Sequence, residues 1–199
     1  MRKSYTILFA LIVLLSTAMS VEALESKSMA RYNGAYAYAD WTETNGDVTT
    51  YTYLSVTETD DGTDVYVSVW TYNEMTGESS DKYGYICTED DVFNIDKKLN
   101  SASLSEVEIE LYEWYYDETG EYYITEGTLT VKADWTGIGD VSKGSSRYVS
   151  RDGDYVFRSA ENSLSRGASV TGSINGSDLG SEYYASMVSF KSASMNMEK

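Results

Sequence analysis

The chain contains no histidine and no proline, and Cys87 is its one cysteine among 199 residues. Without histidine, a Ser-His-Asp triad, a Cys-His pair and every His-ligated metal site are excluded. A lone thiol cannot build a thiolate zinc or iron–sulfur site, nor close a disulfide within the chain. Cys87 follows Tyr85 and Ile86, which predicts a half-buried strand with the thiol as a small apolar filler. An intermolecular disulfide is the alternative. The missing proline rules out a Pro-rich linker, so no domain boundary is marked. Neither Gly-x-Gly-x-x-Gly nor a P-loop occurs, and Gly137-Ile138-Gly139 is too short and opens no helix.

Long apolar runs are missing too, except at the start. Arg2 and Lys3 precede an apolar run from Ile7 to Leu15, and Val21-Glu22-Ala23 offers small residues at cleavage spacing. That predicts a cleavable signal peptide over 1–23, with a retained anchor as the lesser alternative. The run is short for a membrane span, so the processed protein is expected outside the cytoplasmic membrane, secreted or at the cell envelope, without membrane insertion. Residues 24–33 read as a flexible polar lead-in and 34–199 as a single domain, long enough to bury a core.

What is abundant is negative charge and tyrosine. The formal net charge is −17, and there are 19 tyrosines. The acids are unevenly spread: Asp40 to Glu126 holds 22 acidic and 3 basic residues, whereas from Gly127 onward the count is 8 against 8. The first half would repel nucleic acid and anionic headgroups, so no nucleic-acid partner is expected. A basic partner is compatible with it, as is a simply solvated surface or a saline medium.

The chain is organised around a hairpin from Leu104 to Trp135. Val107, Ile109 and Leu111 alternate with Glu106, Glu108 and Glu110, and Leu129, Val131, Ala133 and Trp135 alternate with polar residues. Strands send successive side chains to opposite faces, so each arm has an apolar and a wet side. The same rhythm recurs over 34–42, 48–58, 64–72 and 83–87. It returns over 147–149 and 155–158, and again over 168–174 and 183–197, with turn signals such as Asp60-Asp61-Gly62 and Asn175-Gly176-Ser177 between. Residues 97–102 read as a crossover between sheets, 141–146 as a flexible loop, and 159–166 as room for one helical turn. The expected fold is all-β, an antiparallel β-sandwich of about nine or ten strands, with an open β-barrel as the alternative.

The run Phe93-Asn94-Ile95-Asp96-Lys97-Lys98-Leu99-Asn100-Ser101-Ala102-Ser103-Leu104, with Asp134-Trp135-Thr136-Gly137-Ile138-Gly139, resembles the shared stretches of exported, β-rich microbial proteins that carry no assigned activity. The resemblance implies export and an all-β fold, and it brings no catalytic residue.

Three sets of residues could carry chemistry. Glu106, Glu108, Glu110 and Glu113 could supply the paired carboxylates of a glycoside hydrolase, although alternation places the first three on one outward face. Asp60, Asp61 and Asp64 could hold calcium weakly through carboxylate and backbone oxygens, and Glu89-Asp90-Asp91 is a lesser candidate; acidic turns are also common without metal. No other cofactor is expected. The third set is aromatic. Tyr66, Trp70 and Tyr72, and likewise Tyr112, Trp114 and Tyr116, lie opposite the aliphatic positions of their strands, as do Tyr51 and Tyr53. Such strips could stack on a glycan or cover a protein partner, or bury beneath loops as a second core. The sequence reading is an exported, non-catalytic structural or binding protein. The alternative is a glycan-binding module or a carbohydrate-active hydrolase. Asn175-Gly176-Ser177 is an N-glycosylation acceptor pattern, and Arg151-Asp152-Gly153-Asp154 reads as a turn.

Overall fold

The computed structural model describes residues 26–116, 122–179 and 181–198; residues 1–23, where a signal peptide is expected, lie outside them. Ten antiparallel strands follow one another: β1 (Ser26–Asn45), β2 (Val48–Thr59), β3 (Gly62–Asn73), β4 (Ser79–Thr88), β5 (Phe93–Ile95), β6 (Ser101–Tyr116), β7 (Tyr122–Asp152), β8 (Tyr155–Ile174), β9 (Ser177–Asp178) and β10 (Ser181–Glu198). Among the described residues no helix is long and apolar enough to cross a membrane.

The order across the sheet is β10-β1-β2-β3-β4-β6-β7-β8-β9, with β5 on β6 and β8 pairing back to β10. The sheet therefore folds over and brings its apolar faces together. Only three residue pairs, Lys82–Glu113, Tyr83–Tyr112 and Gly84–Leu111, join β4 to β6. The remainder of β4, Ser79 to Asp81 and Tyr85 to Thr88, pairs only with β3 among the described residues. The layers are not zipped along that side, and the result is a folded-over sandwich rather than a closed barrel.

Period-two alternation accounts for the core. Ala37, Ala39 and Trp41 of β1 are buried, as are Leu54 and Val56 of β2, Val65 and Val67 of β3, Val107 and Ile109 of β6, and Leu129, Val131, Ala133 and Trp135 of β7. Each buried Val, Leu or Ile contributes about 1.5–3 kcal/mol relative to exposure. The small alanines of β1 share this core with the large Trp135. Its indole packs edge-on to Phe93 and donates from Nε1 to the carbonyl oxygen of Tyr38, at 3.1 Å.

The long hairpin forms as the alternation predicts, β6 against β7, with one bulge between Leu104 and Val107. Its turn lies outside the described residues. The Asp60–Gly62 and Asn175–Ser177 turns also form; Asn175 and Gly176 take positive φ, 51° and 75°.

Four expectations change. The lead-in at 24–33 is strand from Ser26 onward, paired to β10. Residues 141–146 and 159–166 are strand as well, parts of β7 and β8 that pair with each other. Polar, serine-rich sequence looks like loop locally, but here its backbone groups are satisfied by neighbours distant in sequence. The segment 97–102 is no crossover, because Ile95 pairs with Ala102 and the chain simply turns back through Leu99 at φ 56°.

These strands build a four-stranded extension beyond the sandwich, ordered β1-β10-β8-β7. Met29 pairs with Met195, Met195 with Arg158, and Arg158 with Val149. None of its described residues from the row of Gly34 and Phe190 to the tip is buried, so it is a single layer with solvent on both faces. β2 stops at Gly34 and β6 at Thr136, which leaves both long edges of the extension unpaired among the described residues.

Candidate functional site: an outward aromatic ladder

Apart from the buried Trp41, the aromatic residues of β1 to β4 stand on the outer face, because their neighbours fill the core. Tyr51 is 44% exposed, Tyr66 37%, Trp70 38% and Tyr72 36%, so these rings form no second core. Register joins them into one surface. Tyr51 sits opposite Trp70 and Tyr66 opposite Tyr85. Tyr51 and Trp70 have centroids 5.0 Å apart, and Trp70 and Tyr72 stack at 5.9 Å with 12° between planes. A second run of rings goes from Phe190 through Tyr36, Tyr38 and Tyr53 to Tyr66, with neighbouring centroids 6.0 to 6.4 Å apart. Sequence reasoning singled out Tyr66, Trp70 and Tyr72. It missed Tyr36, Tyr184 and Phe190, whose membership depends on β10 lying beside β1.

Tyr112 sits opposite Tyr83 across the β4–β6 contact and donates to Glu110 at 2.9 Å, extending the ladder onto β6. Trp114 and Tyr116 continue β6 in register with Ile124 and Tyr122, but their side chains lie outside the described residues.

Acids border the rings. Tyr85 donates to Asp64, and that hydrogen bond to the protonated phenol holds it up to about 12, with desolvation and the neighbouring negative charge adding to the effect. Burial raises Tyr38 well above the usual tyrosine range, helped by a hydrogen bond with Tyr184.

Cys87 does not fill core space. It is exposed on this outer side, and Asp64 beside it pushes the thiol up by hydrogen bonding to its protonated form. Asp60 and Asp61 sit at the exposed tip of the β2–β3 turn, while Asp64 lies within β3. Among the described residues, no group of three acidic or thiol side chains is placed to share a metal ion.

The four glutamates of β6 divide between faces. Glu106, Glu108 and Glu110 are exposed, whereas Glu113 is buried on the inner face, accepting from Ser80 Oγ at 2.5 Å with Lys82 Nζ at 3.4 Å. The strand's alternation continues Val107, Ile109, Leu111 into Glu113, so that carboxylate faces inward where the core ends. Asn175 is committed to its turn, accepting from the Thr130 N–H at 2.9 Å.

Comparison with known protein families, curated proteins and solved structures finds no match.

Proposed function

We propose that this is an exported, non-catalytic β-sandwich protein that works at the cell envelope or outside the cell by binding through its aromatic outer face. The supporting observation is the pair of neighbouring runs of outward rings on β1 to β4, above all the half-exposed stack of Tyr51, Trp70 and Tyr72. Stacked rings on a flat, solvent-facing sheet suit the apolar face of a sugar, and their bordering hydroxyls and carboxylates suit its hydroxyl groups. The export half of the reading rests on the basic residues, apolar run and small residues of the first 23 positions.

The test is titration of the processed protein with a panel of neutral polysaccharides, following tryptophan fluorescence and calorimetric heat. Trp70→Ala removes the ring touching both Tyr51 and Tyr72 and is expected to weaken binding at least tenfold. Wild type and variant showing the same affinity, or no polysaccharide bound by either, would remove the glycan reading of this face.

A further inference from the structure

The four-stranded extension carries a second surface, opposite in charge to the rest of the chain. In an antiparallel sheet, directly paired residues share a face. The face continuing the core side of β1 therefore holds Lys27 and Arg31 of β1 and Lys191 of β10. It also holds Arg158 of β8, and Lys143, Arg147 and Arg151 of β7. Seven of the chain's 15 basic residues thus stand on one side of one small sheet. No aspartate or glutamate alternates onto that side among the described residues; Asp152, Glu161 and Glu198 fall on the other. The cations of β1 and β7 flank a central column of Met195, Met197 and Val156. At the root, Lys97, Lys98, Lys143 and Arg166, with Asp140 as the one acid among them, line a cleft of about 420 Å³.

We propose that this basic face docks the acidic outer face of a second copy of the chain, centred on Glu106, Glu108 and Glu110 of β6. Charge complementarity carries the assignment: the segment holding those glutamates has 22 acids against 3 bases. Spacing agrees with it. Lys143, Arg147 and Arg151 recur every four residues along an extended strand, and Glu106 and Glu110 are four apart on another. The methionine column has an apolar partner in Tyr112, beside Glu110, of the kind sulfur favours. A hydrophilic polyanion offers that column nothing. An anionic bilayer would have to accept the acidic half of the molecule as well, whereas a neighbouring copy makes that half the complement.

The two surfaces differ, so the contact is heterologous and grows head to tail instead of closing as a dimer. A four-stranded face about nine residues long presents roughly 600 Å² per partner, the size of a weak, reversible contact. This inference does not rest on the glycan reading: the basic residues share β1 and β10 with the ring ladder but alternate onto the opposite face, and only Tyr112, at the ladder's β6 end, enters the contact.

Sedimentation velocity over a roughly hundredfold concentration range, at about 20 mM and about 500 mM salt, tests it. At low salt the mean mass should climb with concentration beyond a dimer, and at high salt it should fall back to monomer. Arg147→Glu with Arg151→Glu, all at exposed positions, should weaken association at least tenfold, and Glu108→Lys with Glu110→Lys should do the same. Mixing the two variants should restore association, since each then supplies the other's complement. A wild type that stays monomeric at low salt overturns the proposal, including one that binds anionic vesicles or polyglutamate through the same arginines. So does association that neither variant changes.

Discussion

The indole of Trp135, on β7, donates to the main-chain carbonyl of Tyr38, on β1, 97 residues earlier and five places away in the sheet order. This bond links the two layers through the middle of the core, and Trp135 is 1% exposed. Trp135→Ala should destabilise the fold by about 3–5 kcal/mol, as large-to-small changes of buried aromatics do. Trp135→Phe keeps much of the packing but leaves the carbonyl without this donor, adding roughly 1–3 kcal/mol for an unsatisfied buried group. Urea unfolding of both variants checks this. A phenylalanine variant as stable as wild type would show that the hydrogen bond contributes little.

Gly84 lies at the short join between β4 and β6. A Cβ there would stand 2.6 Å from the carbonyl oxygen of Glu110 and 2.6 Å from Ile109 Cγ2. One of those contacts is backbone and cannot rotate aside. Gly84→Ala is therefore expected to push β4 from β6, where three residue pairs hold them, at about 1–3 kcal/mol. Hydrogen exchange should quicken first at Tyr83 and Tyr112. An alanine variant with unchanged exchange would mean that β4 and β6 do not depend on this close approach.

Acid should first stabilise and then destabilise this protein. Burial raises the Glu58 carboxyl, with help from Asp91, and burial also raises Asp40. For both, the folded state holds its proton more tightly than the unfolded chain, so stability falls as pH rises from the ordinary carboxylate range through the raised values. Asp96 is the opposite case. The backbone N–H of Asn100 holds its carboxylate below the usual range, so its contribution is complete above the ordinary value and lost as pH falls through the depressed one. Urea midpoints should rise on mild acidification and drop on stronger acidification. Glu58→Gln should flatten the first limb and Asp96→Asn the second; a profile unaltered by either substitution contradicts the assignment.

The core was legible in the sequence because its signal is local. Val107, Ile109 and Leu111 alternate within five residues, and a pleated strand turns that alternation directly into inner and outer faces. The extension was not legible, since Ser142 to Ser146 and Ser159 to Ser165 carry too few apolar residues to reveal a period. Their strand character comes from pairing across β7, β8 and β10, and only that register shows that scattered lysines and arginines share a side. The aromatic strips fell between these cases. Each was visible within its own strand, but the stack of Tyr51 on Trp70 requires knowing which strands are neighbours.

The carboxylate of Asp64 governs two neighbours at once and gives a test on the aromatic face itself. Tyr85 donates to it, and Cys87 lies within its reach. In both groups the hydrogen bond to the Asp64 carboxylate chiefly holds the proton, and desolvation and the cost of a second negative charge beside the first add to it. Cys87 should accordingly react slowly with iodoacetamide at mildly alkaline pH for so open a thiol, because the thiolate is the reacting species. Asp64→Asn removes the charge while keeping the shape. It should speed alkylation severalfold and bring the Tyr85 phenol down from about 12 toward the ordinary tyrosine value, read by ultraviolet titration. If the asparagine variant alkylates no faster and Tyr85 titrates where it did before, Asp64 is not the group that holds this corner of the surface protonated.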